Sequence, residues 1–406
     1  MKQLCNFPLK ALALNMALLA SCSSEATPGP DSSAVPLENL PPKTAPVLIE
    51  GYEQPPVGTV SSFRTDFSKR TISYSEVLSG GPPKDGIPAI DDPRFVTVAD
   101  ADQWLAALEP VIVVRVADEA RAYPIQILMW HEIVNDELAG MPLMVSFCPL
   151  FNTAIAFERE LDGRILDFGT TGRLRFSNLI MYDRQSESWW QQATGEAIAG
   201  DYAGSRLTFY PASIIAWATF KAAYPDATVL SRQTGYGRDY GNNPYLGYDD
   251  VEQLPFLYRG KPTPARLAAM ARVLTLELGG EAVAFPYEAL SGVKVANDMV
   301  DGQAVAVFWA GGTASALDTS AIVEGRDVGA ALAYAAEAAG QVLSSIFDRG
   351  KIRDKETGSG WDILGRAVSG PLQGTRLKEL PAINHFWFSW AAFRPETRIF
   401  QAAGVQ

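Results

Sequence analysis

Histidine and cysteine are the scarcest chemistry-bearing residues of this chain, with two and three copies among 406 residues. That scarcity leaves no room for a disulfide framework, which needs cysteines in sets. Basic clusters are also missing. The formal net charge is −12 and the Lys and Arg residues are scattered, which excludes a nucleic-acid backbone as partner, since that requires a basic stripe. The apolar run at 11–20, ALALNMALLA, is too short to span a bilayer. Several catalytic signatures are absent. There is no Walker sequence and no G-x-S-x-G elbow. His131-Glu132-Ile133-Val134-Asn135 carries asparagine where a zincin helix needs its second histidine. Asp167-Phe168-Gly169 lacks the glycine-rich loop and catalytic loop of a kinase, and Gly169–Gly172 reads as a turn. What remains is a globular composition, 47% apolar and 20% charged, long enough for two domains with cores of their own.

The N-terminus has the order of a targeting signal. Lys2 and Lys10 are followed by the apolar run and then by Leu19-Ala20-Ser21-Cys22. This resembles the lipobox of bacterial lipoproteins, which implies a signal peptide at 1–21 and lipid on Cys22. The resemblance places the protein on the periplasmic side of the cell envelope, with the outer membrane favoured by Ser23. Cleavage removes Cys5 along with Lys2 and Lys10, so Cys148 is the one free thiol expected in the mature chain. Residues 22–56, rich in Pro, Ser, Glu and Thr, read as a flexible tether.

Beyond the tether the chain repeats itself. Val111–Leu128 matches Val273–Leu290, and Asn135-Asp136 and Asn297-Asp298 each lie eleven residues after a matched proline, Pro124 and Pro286. Asp183–Trp190 (DRQSESWW) matches Asp354–Trp361 (DKETGSGW), and Gly200–Leu207 matches Gly370–Leu377. Anchors in one order predict an internal duplication, with repeat unit one at 57–227, a connecting loop at 228–263 and repeat unit two at 264–406.

Period-two patterning predicts strands at 111–116, 143–147, 153–158, 165–168, 179–183 and 206–210. A helix is expected over 211–225, opened by Pro211 and closed at Tyr224-Pro225, and another over 100–108. The fold class is therefore α+β and β-rich, each unit a small curled sheet or barrel with a C-terminal helix. The stretch 231–250, SRQTGYGRDYGNNPYLGYDD, has turn chemistry with aromatic anchors and predicts an ordered loop packed on the body; a ligand lid or a Ca²⁺ site at Asp239, Asp249 and Asp250 is the functional alternative.

The strings HEIVND, CPLFNTAIAF, DFGTTGRLRFSNLIMYDRQSESWWQQATGEAI, GRDYGNNPYLGYDD and FWFSWAAFRPET resemble the bacterial domain-of-unknown-function family numbered 3179, from about Tyr52 to the C-terminus. The resemblance implies an exported, often lipidated protein and supplies no reaction. Many members of that family read CPLC where this chain has Cys148-Pro149-Leu150-Phe151, so a C-x-x-C redox or two-thiolate site is not available here.

The site residues come from the hairpin register. Asp301-Gly302 is a two-residue turn, and its counterpart Ala139-Gly140 then sets His131 opposite Cys148, where the second unit has Val293 and Ala310. His385 falls where the first unit has Ile215. Joined by Met129 or Met144, the set His131, Cys148 and His385 is suited to copper, and with a carboxylate or water to zinc. A second reading is a thiol-dependent enzyme using Cys148 with His131 as base, oriented by Asp183, Glu187 or Asp136. A third is a ligand-binding or scaffold protein of the envelope without catalysis, with Trp190 and Trp361 lining a groove among Trp189, Trp387 and Trp390.

Overall fold

The computed structural model describes residues 48–402. The expected signal peptide, Cys22 and the first part of the expected tether lie outside them. Most of the predicted strands are present: Pro110–Val116, Met141–Cys148, Thr153–Glu158 and Asn178–Asp183. They form small open sheets, and no barrel closes among the described residues.

Three larger sheets and a two-stranded ribbon, Glu160–Leu161 with Arg164–Ile165, make the first half. The first orders Ser213–Ala216, Pro110–Val116, Glu119–Pro124, Thr228–Leu230 and Phe95–Thr97, with one parallel contact between 228–230 and 119–124. The second orders Phe209–Tyr210, Thr153–Glu158, Met141–Cys148 and Ile133–Leu138. The third contains Phe168–Arg175, Asn178–Asp183, Trp189–Gln191 and Glu196–Ala199. The second half is also built of small sheets. Arg272–Leu278 and Glu281–Pro286 pair with Ile383–Phe386 and, in parallel, with Arg398–Ile399. The hairpin Val295–Val300/Gln303–Ala310 adds Ala330–Ala335, and Ser345–Asp348, Lys351–Asp354, Gly360–Trp361 and Ala367–Ser369 complete the set.

The sequence anchors have local physical causes. Asn135 clamps the first and third regions together: its Nδ2 donates to the carbonyl of Phe168 at 2.9 Å, and Phe168 N donates back to its Oδ1 at 2.9 Å. Asn297 does the same to Ser345, both bonds at 2.8 Å. Asp183 accepts from Ser186 N and Oγ and from the indole Nε1 of Trp190 at 2.9 Å. Asp354 accepts from Thr357 N and Oγ1 and from Trp361 Nε1 at 2.9 Å. Each aspartate satisfies donors that burial would otherwise leave orphaned.

Three expectations about helices and linkers are corrected. The helix over 211–225 is a strand at Ser213–Ala216 followed by a helix at Trp217–Ala223, because the β-branched pair Ile214-Ile215 is drawn into pairing with Val111 and Ile112. The helix over 100–108 is a single turn, Val98–Ala101, capped by the Thr97 side chain. Residues 48–56 do not behave as tether: Ile49 N donates to Arg70 O, and Glu53 pairs with Arg70 and accepts from Ser73 and Ser75.

The two halves share their cores. Phe147, Phe151 and Ile155 belong to one apolar cluster with Ile383, Phe386 and Phe388, and Ile215 and Trp217 belong to another with Leu332, Tyr334 and Trp361. Truncating a buried phenylalanine such as Phe386 would cost about 3–5 kcal/mol, so neither half is expected to keep its stability when parted from the other.

Candidate functional site

The hairpin register is the predicted one. Ile133 pairs with Ser146 and Leu138 with Met141, around a turn in which Ala139 and Gly140 both have positive φ, 48° and 77°. The side chains at its open end differ from expectation. Ile125–His131 is a helix started by Pro124, and Glu132 ends it in the left-handed conformation at φ 58°. The strand begins at Ile133, so His131 leaves the hairpin plane one residue too early to face Cys148.

His131 turns instead to the connecting loop. Its Nδ1 meets the carbonyl of Pro88 at 2.7 Å and its Nε2 meets the hydroxyl of Tyr240 at 2.6 Å. A carbonyl can only accept, so Nδ1 carries the proton and Tyr240 donates to Nε2. Burial lowers this imidazole from its ordinary value to about 4, and it is neutral at physiological pH.

His385 does approach the hairpin. Thr153 stands directly across from Cys148, and its Oγ1 lies 2.8 Å from His385 Nδ1. The threonine hydroxyl donates to Phe151 O at 3.1 Å, so His385 donates through Nδ1 and presents a bare lone pair at Nε2. That Nε2 is buried with no hydrogen-bond partner, and burial lowers the group to about 3.

Glu132 is the residue that sequence reasoning passed over. Its side chain makes no hydrogen bond or ion pair among the described residues, and desolvation alone raises its carboxyl to about 8. Cys148 is buried beside it, its thiol pushed up to about 12 by burial and by the Glu132 charge. Among the described residues the hydrogen-bond acceptor for that thiol is the carbonyl of Ser177 at 3.9 Å, a weak contact. Tyr245, on the connecting loop, also feels both Glu132 and Cys148, and its phenol is held well above the usual range by burial. Tyr248 closes the edge, donating to Leu150 O at 3.1 Å with its ring against Phe386. One signal for Glu132 was present in the sequence: at the matching place in the second half stands another charged residue, Lys294, also left-handed at φ 65°.

The predicted metal set is therefore corrected. Among the described residues no group of three or more His, Cys, Asp or Glu is placed to hold a metal ion, and His131, Cys148 and His385 do not converge. The physical reason is the helix at 125–131, which commits both nitrogens of His131 elsewhere. Of the aromatic pair, Trp190 is fully buried in the core with its indole on Asp183, so it lines no groove. Trp361 is 4% exposed and reaches the wall of a cavity in the second half. In the loop, Asp249 is not free for calcium: it is buried between Arg272 and Arg326 and accepts from Ser315.

These features define a class: a β-rich protein of several small open sheets, with a buried carboxyl and a buried thiol side by side at the end of one hairpin and a tyrosine-bearing loop against them. The chain belongs to the family described as protein of unknown function DUF3179, whose profile matches residues 84–397. Neither a curated protein nor a solved structure matches it.

Proposed function

We propose that the protein is a lipid-anchored component of the bacterial cell envelope with one thiol-dependent site, in which Cys148 is the thiol and Glu132 its proton acceptor. The observation that carries this reading is a buried carboxyl that no donor among the described residues engages, set beside a buried thiol. A desolvated carboxyl near neutrality is suited to move protons at working pH. Above about pH 8, where Glu132 is ionised, the step is Cys–SH plus Glu–COO⁻ giving Cys–S⁻ plus Glu–COOH. It is uphill while the site is closed, since Cys148 sits well above Glu132, and becomes accessible when the loop is displaced or a ligand stabilises the thiolate. His385, with Nε2 bare, is the available acceptor on the Thr153 side.

The envelope location rests on Lys2, Lys10, the run at 11–20 and Cys22. What supports an internal duplication is the recurrence of the asparagine clamp, the aspartate–indole bond and the parallel edge strand in both halves.

The test is labelling of Cys148 by methyl methanethiosulfonate, followed by intact mass from about pH 6 to about pH 9.5. A rate step near pH 8 is expected in the wild type and its loss in Glu132→Gln. The same profile in both proteins, or a thiol inert throughout, overturns the role given to Glu132.

A further inference from the structure

The matched strings DRQSESWW and DKETGSGW put Gly360 where the first half has Trp189. In the first half that indole is fully buried, with Phe63 and Phe67 edge-on to it at 5.3 and 5.0 Å. Both phenylalanines come from the segment ahead of the first sheet, which covers Ile180, Tyr182 and Ile198. Among the described residues no such cover lies on the corresponding face of the second half, and Phe347 and Val368 are 43% and 53% exposed. Absence of the indole and of the covering segment leaves a cavity of about 590 Å³, lined by Lys294, Trp309, Phe347, Lys351, Gly360 and Trp361.

Its charge is unusual for this molecule. The chain carries −12 overall, yet neither Lys294 nor Lys351 forms an ion pair among the described residues. Lys294 Nζ lies 3.9 Å from the centre of the Trp309 ring, a cation–π contact that holds the ammonium at the cavity wall. The Trp309 Nε1–H is buried without an acceptor. Gly329, at φ 74°, lets its backbone press against that ring: a Cβ there would fall 2.4 Å from it. The indole is thus a fixed wall, not a mobile side chain.

We infer that this cavity in the second half binds a small carboxylate borne on a sugar or aromatic ring, the carboxylate held by Lys294 and Lys351 and the ring against Trp309 and Phe347. Two unpaired ammonium groups call for an anion, and the aromatic wall calls for a ring face beside it. The site is separate from the thiol site, since the place of Glu132 and Cys148 is taken here by Lys294 and Ala310.

The experiment is titration of the full chain with glucuronate and with benzoate, read by tryptophan fluorescence and calorimetry, against glucose, benzyl alcohol and inorganic phosphate. Saturable binding of one ring carboxylate is expected, with its neutral counterpart and phosphate each at least about tenfold weaker. Which of the two binds tells a sugar acid from an aromatic acid. Lys294→Ala should weaken it by about tenfold, and added salt should weaken it too. Cys148→Ser should bind as the wild type does, which keeps this result independent of the thiol reading. Both lysines are solvent-accessible, so the double variant Lys294→Ala/Lys351→Ala should fold, as a thermal melt checks. No saturable binding of either carboxylate, equal binding of the neutral compounds or of phosphate, or an unaffected folded double variant overturns the inference.

Discussion

Among the groups that burial shifts, Glu132 and the two histidines bear on how stability depends on pH near neutrality. Glu132 is raised from its ordinary 4.5 to about 8, so the folded state holds a proton that the unfolded chain releases. Its contribution is full below about pH 4.5 and is lost as pH rises through about 8. His131 and His385 are lowered from 6.5 to about 4 and about 3, so their contribution is full above about pH 6.5 and is lost as pH falls. Together these groups place a stability maximum near pH 6.5. In Glu132→Gln the decline on the alkaline side should flatten, and the rise between about pH 5 and about pH 6.5 should steepen, because Glu132 no longer offsets the histidines there. Urea midpoints measured from about pH 5 to about pH 9 check this, and an unchanged alkaline limb would mean that Glu132 ionises freely in the folded protein.

At the scale of the element, the proposed thiol site makes the connecting loop the part expected to control access. It is tied to the first half by Tyr240 on His131, and to the second by Gly247 N on Asp318 O, Tyr248 N on Leu317 O and the buried Asp249. Asp249→Ala leaves Arg272 without its buried carboxylate, a change on the order of 3–5 kcal/mol. The loop should then open more often, and methanethiosulfonate labelling of Cys148 should speed by about tenfold or more, since about 1.4 kcal/mol of easier opening is tenfold in population. An unchanged labelling rate would show that the thiol is reached by another route.

The loop and the hairpin also show which parts of the molecule were legible beforehand. The turns Ala139-Gly140 and Asp301-Gly302 gave both registers, because a two-residue turn with positive φ leaves one pairing. Strand periodicity located the sheets for the same local reason. The orientation of His131 was not legible, because it depends on where a seven-residue helix gives way to a strand, and IQILMWH is apolar enough for either. The approach of His385 to Thr153 spans 232 residues and is settled by tertiary packing alone.

On the scale of the whole molecule, the halves are bound through shared apolar clusters, and the proposed anchor lies far from them in sequence. Cys22→Ser should therefore shift the protein from the membrane fraction to the soluble one without altering its melting behaviour. Fractionation with immunoblotting checks the first outcome and calorimetry the second; a variant still sedimenting with membranes would mean that something other than lipid on Cys22 holds the chain there.

The left-handed residue at the end of the helix before each hairpin has a wider meaning. Glu132 and Lys294 hold φ values of 58° and 65° without being glycine, and each donates its backbone N–H to the carbonyl four residues earlier, at 2.7 Å in both cases. Backbone bonding fixes the bend, so the side chain is left free of any duty in holding the chain together. The same bend therefore carries an acid in the first half and a base in the second, a side chain that the backbone geometry does not dictate.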